Sequence, residues 1–123
     1  MNPTLIWIGA LCALTAVAMG AFGAHALRDY LSLELMQVYQ TAVNYHMWHA
    51  LGLIGIGLYR PTTPSRGLSI AGGLMVLGLV LFSGSLYVLC LTGLRWLGMI
   101  TPLGGLSFIV AWALFAWTVY QHR

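Results

Sequence analysis

The stretch "LSIAGGLMVLGLVLFSGSLYVLCL", from Leu68 to Leu91, decides the fold because it contains no charged residue. A helix needs about twenty consecutive apolar residues to cross the hydrocarbon core of a bilayer, and this stretch is long enough. It nevertheless holds Ser83 and Ser85 on either side of Gly84. The position of these serines raises the question of which groups their hydroxyls meet in an apolar surrounding.

The composition of the whole chain points to the same surrounding. Of its 123 residues, 60% are hydrophobic and only 6% are charged, whereas soluble domains carry about 25% charged residues. Two acids and five basic residues cannot cover a globular surface in water, so we expect the lipid bilayer to surround the chain. The net charge is +3 without a basic cluster, so a nucleic-acid partner is not expected.

Turn and charge signals divide the chain into four apolar spans, which we expect at about residues 4–24, 38–59, 68–91 and 103–120. The turn "RPTTPSRG" holds two prolines and a glycine between the second and third spans, and such residues stop and restart helices. Short connections make consecutive helices antiparallel. The sequence therefore predicts an all-α membrane protein, a single domain of residues 1–123 folded as an antiparallel four-transmembrane-helix bundle.

The arginines indicate the orientation of this bundle. Arg60, Arg66 and Arg123 lie on one side of the predicted membrane, and Arg28 and Arg95 lie on the other. Because basic loop residues favour the cytoplasmic side, the distribution predicts that both termini are cytoplasmic.

Small residues recur on every predicted span. Lipid tails compete equally for apolar side chains, so membrane helices associate where small residues let their backbones approach closely. The expected contact faces hold Ala16, Gly20 and Ala24, then Gly52, Gly55 and Gly57, then Gly73, Gly78 and Gly84, and finally Gly104 and Gly105.

The second predicted helix, from Leu33 to Tyr59, carries a polar stripe. Its members recur at spacings of three and four residues: Glu34, Gln37, Thr41, Asn44 and Trp48. Residues at those spacings share one face of a helix. A polar face that enters a membrane should meet protein or water, so we expect the stripe to face the bundle interior and to hold candidate functional residues.

Two histidines of the same helix, His46 and His49, are three residues apart and therefore adjacent on its surface. His49 falls near the expected membrane midplane. We expect hydrogen-bonded, neutral imidazoles inside the bundle, with Ser83 and Ser85 as their partners and Gly84 allowing close helix approach.

Two functional alternatives for the histidines stay open. Neutral imidazole suits zinc, copper or iron, so His25, His46 and His49 are candidate ligands of a metal or haem. A proton relay through His49 and Glu34 is the other alternative.

The end of the first span carries the mixed charges of the chain. His25, Arg28 and Asp29 lie within about one helical turn, and Glu34 and Arg95 are expected at the same membrane face. We predict that Asp29 or Glu34 forms an ion pair with Arg28 or Arg95.

Three stretches together resemble a known family: "GAFGAHAL" (Gly20–Leu27), "YQTAVNYHMWHALGL" (Tyr39–Leu53) and "LFSGSLYVLCLTGLRWLGMITPLGG" (Leu81–Gly105). The chain is similar over nearly its whole length to the domain-of-unknown-function 423 family, the small YgdD-like bacterial inner-membrane proteins. The resemblance implies an integral protein of the plasma (inner) membrane. It implies no activity, substrate or catalytic residue.

The functional predictions follow from what the chain contains and lacks. No Ser-His-Asp triad, carboxylate pair or phosphate loop has a usable spacing, so we expect neither an enzyme nor a cofactor. The favoured function is a small structural, accessory or regulatory component whose partners are the lipid bilayer and either further copies or a larger membrane complex. The alternatives are an oligomeric transporter or channel component with a polar path along the second helix, and a histidine-based metal or haem protein.

Overall fold

A computed structural model describes all 123 residues, and every regular element in it is helical. Four long helices follow one another: α1 Pro3–His25, α2 Leu33–Leu58, α3 Arg66–Thr92 and α4 Thr101–Gln121. A short 3-10 helix at Arg95–Met99 precedes α4. The prediction of an all-α protein is confirmed.

Local capping chemistry fixes the ends of these helices. The side chains of Asn2 and Ser32 accept hydrogen bonds from the first turns of α1 and α2, as polar N-cap residues do. Pro3 occupies the first turn of α1, where no backbone donor is needed. Gly93 ends α3 with a φ of 74°, a left-handed conformation that favours glycine.

Helix α3 contains a widened turn that the sequence did not predict. Its α-helical parts, Arg66–Gly78 and Ser85–Thr92, are joined by a π-helical segment at Leu79–Gly84. Such segments are rare and frequently lie at functional sites. Here the segment places the backbone of Phe82 directly against Gly104 of α4.

Helices α1 and α2 pack along their whole lengths. The backbone N–H of Asn2 donates to the carbonyl of Gly57 at 2.7 Å. At the other end of the pair, the Tyr39 hydroxyl donates to the carbonyl of Met19 at 2.6 Å. The first bond places the start of α1 beside the end of α2, and the second places the later part of α1 beside the start of α2, so the two helices are antiparallel.

Replacing Tyr39 with phenylalanine is expected to lower the free energy of unfolding by about 1 kcal/mol. The Tyr39 side chain is 1% exposed, so the carbonyl of Met19 has no water to replace the lost hydroxyl. SDS titration of the protein in mild detergent measures the change. The matched control is Tyr30→Phe, because Tyr30 is 72% exposed; equal stability of the two variants would contradict the expectation.

The second pair of helices is α3 and α4. The Ser107 hydroxyl of α4 donates to the carbonyl of Leu74 in α3 at 2.7 Å. The main apolar core lies between this pair, α2 and the start of α1 and consists of Leu5, Leu53, Ile56, Leu68, Ala71, Met75, Leu79, Phe108 and Ala111. A smaller core of Leu27, Tyr39, Val43 and Cys90 lies toward the opposite end.

Three helical segments are long and apolar enough to cross a membrane. They are Pro3–His25, Arg66–Thr92 and Arg95–Gln121. Large apolar side chains cover their outer surfaces, among them Trp7, Leu14, Val17, Val80, Leu103 and Ile109. Helix α2 is not among the three, because polar residues lower its hydropathy.

Glycines bring the helices together, although not always at the predicted positions. An added Cβ would come within 3.0 Å of a neighbouring helix at the predicted positions Gly57, Gly78 and Gly104. It would meet nothing within 4 Å at Gly55 and Gly73, so these two glycines are not contact positions within the bundle. The spacing of small residues identifies a face of a helix, but it does not identify which face meets a neighbour.

Candidate functional site

The polar stripe of α2 lies on the outer surface of the bundle, so the prediction that it faces the interior is wrong. Glu34, Gln37, Thr41 and Trp48 are exposed, and Asn44 is half-buried. The opposite face of α2, with Tyr39, Ala42, Val43, His49, Ala50, Leu53 and Ile56, is buried. Periodicity shows which residues share a face, whereas packing against α1 and α3 selects the face that turns inward.

Two carboxamides on this outer face bond to each other. The Nε2 amino group of Gln40 donates to Oδ1 of Asn44 at 3.0 Å. Thr41 instead donates to the backbone carbonyl of Gln37, also at 3.0 Å. The Gln40–Asn44 pair keeps one amino group, Nδ2 of Asn44, and one carbonyl oxygen, Oε1 of Gln40, for an external partner.

The exposed face continues beyond the polar stripe with a regular spacing. We call it the α2 seam, and its members alternate at four and three residues: Gln37, Thr41, Asn44, Trp48, Leu51, Gly55 and Leu58. All seven are exposed or half-buried. This 3.5-residue period is typical of a helix that packs against another helix along a left-handed seam. Leu51, Gly55 and Leu58 are apolar and so were not part of the predicted polar stripe; Gly55 was predicted only as a helix-contact glycine.

His49 lies inside the bundle, as predicted, but its partners differ from those expected. The side chain is 5% exposed, and Nδ1 donates to the carbonyl of Tyr45 at 2.7 Å. The imidazole stacks on the ring of Phe108 with centroids 3.5 Å apart. His49 is therefore an aromatic core residue joining α2 to α4.

His46 links three helices through a directed chain of hydrogen bonds. The hydroxyl of Thr15 donates to the carbonyl of Cys12 at 2.9 Å, so the ring nitrogen Nε2, 3.1 Å away, donates to Thr15. Nδ1 then accepts from the hydroxyl of Tyr87 at 2.9 Å. This direction assigns the neutral Nε2–H tautomer to His46.

The serines of α3 bond to backbone and threonine rather than to histidine, which corrects the predicted role. Ser83 donates to the carbonyl of Ala42 in α2 at 2.8 Å. The Ser85 hydroxyl lies 2.6 Å from that of Thr101. Gly84 does not mediate a helix contact either, since an added Cβ there would meet only the Leu79 carbonyl at 3.8 Å. The serines therefore fasten α3 to α2 and to the start of α4.

The charged end contains the predicted ion pair. Arg95 Nη1 and Glu34 Oε1 are 3.8 Å apart, with side chains 77% and 74% exposed. His25, Arg28 and Asp29 are exposed and form no ion pair. An exposed ion pair stabilises a protein by less than about 1 kcal/mol. The charged end of the bundle is therefore a solvated surface that contributes little to stability.

The three histidines proposed as metal or haem ligands do not come together. His25 is exposed at the end of α1, while His46 and His49 lie on α2 with other partners. No group of three or more histidine, cysteine, aspartate or glutamate side chains has a geometry suited to a metal ion. Glu34 and His49 are fifteen residues apart on one helix, about 22 Å, so they do not form a direct relay.

Comparisons with known proteins agree with the helical, apolar character of the chain. A family model described as "Protein of unknown function (DUF423)" matches residues 19–105. The UPF0382 membrane protein of Staphylococcus haemolyticus is 51% identical over 116 residues, which are 94% of each chain. The UPF0382 membrane protein YwdK of Bacillus subtilis is 48% identical over 110 residues, 89% of each chain. No solved structure matches the chain.

Proposed function

We propose that this chain, which belongs to the DUF423 family and is a membrane protein, is a non-enzymatic component of the plasma membrane that assembles with copies of itself. Its role is structural or accessory, within a larger membrane assembly. The observation that carries this proposal is the α2 seam, a partly polar and exposed face on an otherwise apolar bundle.

The proposal includes four membrane crossings, with α2 as the second. Helix α2 has 26 residues, or about 39 Å of length, which exceeds the ~30 Å of hydrocarbon. It is bonded to α1 near both ends, and α1 is itself a candidate span. The fold is then an antiparallel four-transmembrane-helix bundle, with both termini on the cytoplasmic side that the arginine distribution favours.

This placement puts part of the α2 seam at hydrocarbon depth. His46 contacts Thr15 near the middle of α1, so His46 lies close to the bilayer midplane. Asn44 and Thr41 are two and five residues from His46, about 3 and 7.5 Å along the helix axis. Free carboxamide groups at this depth are costly against lipid, which favours a protein partner.

A second copy of the chain matches the chemistry of this face. The free Nδ2 amino group of Asn44 can donate to Oε1 of Gln40 in another copy, and two-fold symmetry repeats the same bond in reverse. A polar seam residue of this kind can fix the register and the number of helices. Gly55, beside which an added Cβ meets nothing within 4 Å, leaves room for a close approach.

Replacing Asn44 with leucine is expected to weaken self-association about tenfold, because interhelical hydrogen bonds in membranes contribute up to about 1–2 kcal/mol. Energy transfer between labelled chains in liposomes, over a range of protein-to-lipid ratios, measures the dissociation constant. Gly55→Leu should act in the same direction by filling the α2 seam.

The matched control is Gly73→Leu, an equally open glycine on α3, which should leave the association unchanged. Circular dichroism verifies that all variants are folded. A native chain that stays monomeric at every ratio, or an Asn44→Leu variant that associates like the native chain, would overturn the proposal.

The same seam favours a second candidate, an oligomeric transporter or channel component. In a ring of copies, Gln37, Thr41 and Asn44 would line a central path instead of a helix pair. Solute flux through proteoliposomes that is reduced by Glu34→Gln and Asn44→Leu would favour this candidate. Association without flux would favour the structural role.

A further inference from the structure

One end of the bundle carries arginines and no acidic side chain. It consists of the start of α1, the turn between α2 and α3, and the end of α4, and it holds Arg60, Arg66 and Arg123. His122 connects the end of α4 to the turn, because its Nδ1 atom lies 3.1 Å from the hydroxyl oxygen of Thr62. We call this part of the molecule the arginine end.

The two acids of the chain lie at the opposite end of the bundle. Asp29 is in the connection between α1 and α2, and Glu34 is 3.8 Å from Arg95, which lies in the connection between α3 and α4. The arginine end therefore presents three guanidinium groups that form no ion pair within the chain. A surface with one sign of charge attracts ligands of the opposite sign.

Two contacts hold Arg123 against the last turn of α4. Its Nε atom donates to the carbonyl of Tyr120 at 3.2 Å, and its guanidinium carbon lies 4.1 Å from the centroid of the Tyr120 ring. That ring stacks on Trp117, with centroids 5.8 Å apart. Both Nη amino groups of Arg123 have no partner in the chain. A planar guanidinium with free amino groups matches the geometry of a phosphate.

A shallow apolar groove of about 500 Å³ runs from this site along the outer face of α4. Its lining residues, Ala113, Ala116, Trp117 and Tyr120, are all exposed. Together with Arg123 they recur at spacings of three and four residues, so the groove and the guanidinium share one side of α4. In the four-span placement the groove extends from the membrane surface toward the bilayer interior, and its two aromatic residues lie at the interface that such rings prefer.

We propose that an anionic phospholipid binds at this place, with its phosphate on Arg123 and one acyl chain in the α4 groove. The groove alone would accept the acyl chain of any lipid, so the charge of the arginine end determines the head group. A zwitterionic lipid brings a cationic group toward the arginines, which repel it, whereas phosphatidylglycerol carries only negative charge. A soluble anion or an acidic protein segment has no acyl chain to occupy the groove. The proposal rests on the four-span placement but not on self-association.

The test titrates the full chain in mild detergent with dioleoylphosphatidylglycerol or dioleoylphosphatidylcholine and counts the retained lipids by native mass spectrometry. The two lipids have the same acyl chains, so a difference between them reports the head group. The native chain should retain one phosphatidylglycerol, with a dissociation constant at least about fivefold lower than that of phosphatidylcholine, the factor expected for one arginine near an anionic surface.

Substitutions locate the bound lipid on the molecule. Arg123→Gln should weaken the binding of phosphatidylglycerol about fivefold and leave that of phosphatidylcholine unchanged. Arg28→Gln is the matched control, because it removes the same charge from an exposed arginine at the opposite end. Ala116→Phe fills the groove and should lower the retention of both lipids, whereas Ala18→Phe, at an exposed position of α1, should not. Circular dichroism verifies that the variants are folded.

Three results would overturn the proposal: equal retention of the two lipids, unchanged phosphatidylglycerol binding to Arg123→Gln, or an equal loss in Arg28→Gln. Inorganic phosphate and a decaglutamate peptide are tested in parallel, and tighter binding of either than of phosphatidylglycerol would also contradict it. Asn44→Leu should retain the lipid like the native chain. Failure of self-association and failure of lipid binding are therefore separate outcomes.

Discussion

Replacing Gly104 with alanine is expected to lower the free energy of unfolding by about 3 kcal/mol, the upper end of the usual overpacking penalty. An added Cβ would collide with the backbone N of Phe82 and lie 2.8 Å from both the Leu81 carbonyl carbon and the Phe82 Cα. A backbone cannot move aside like the end of a flexible side chain. Helix α4 must therefore move away from the π-helical segment of α3, and the core contacts between them loosen.

The neighbouring glycine supplies the control. At Gly105 an added Cβ would meet only the Phe82 ring, at 3.8 Å, an ordinary contact. Because alanine also favours a helix over glycine by about 0.5–1 kcal/mol, Gly105→Ala should be neutral or stabilising. SDS titration and thermal unfolding in mild detergent compare the two variants, and equal stability would show that α3 and α4 are not in backbone contact here.

Replacing His49 with alanine is expected to cost about 3 kcal/mol, comparable to the loss of a buried aromatic side chain. The imidazole fills space beside Phe108 at a centroid distance of 3.5 Å and stacks on Tyr45 at 5.7 Å. Removing it leaves a cavity between α2 and α4. The same unfolding measurements report the change.

A planar replacement tests whether packing dominates at this position. His49→Phe keeps the stacking surface and loses the 2.7 Å bond to the Tyr45 carbonyl, so it should cost only about 1 kcal/mol. His25→Ala is the exposed control and should change little. If His49→Phe were as damaging as His49→Ala, the polar nitrogen rather than the ring would be the important part.

The sequence predicted the number and approximate positions of the helices because strong stop signals and long apolar stretches are local properties. The turn "RPTTPSRG" separates the second and third helices without reference to the rest of the molecule. The ion pair between Glu34 and Arg95 could also be predicted from the sequence, because the number of spans alone places both residues at the same side of the membrane.

The direction in which the polar stripe of α2 faces could not be predicted from the sequence in the same way. The expectation of an inward stripe assumed that one chain satisfies all its own polar groups, and the seam from Gln37 to Leu58 lies outside instead. Which face of α2 turns inward depends on shape, here the fit of Tyr39 and Ala50 against glycines of α1. Because that fit depends on the shapes of α1 and α2 together, the sequence pattern of α2 alone does not predict it.

The π-helical segment and the partners of the histidines escaped prediction for a related reason. No residue type marks a π turn, and the carbonyl that Ser83 reaches, that of Ala42, belongs to a backbone forty-one positions away. A hydroxyl in an apolar stretch indicates that some acceptor exists nearby, but backbone carbonyls are available on every helix.

The pairing of α1 with α2 and of α3 with α4 has a consequence for how the chain is made. Each pair is contiguous in sequence and closes on itself through its most extensive contacts, so each can form as soon as its second helix leaves the ribosome. With the proposed orientation, both hairpins begin and end on the cytoplasmic face, and only the short connections at residues 26–32 and 93–100 must cross. The chain would then insert as two successive helical hairpins, which associate laterally once both are in the bilayer.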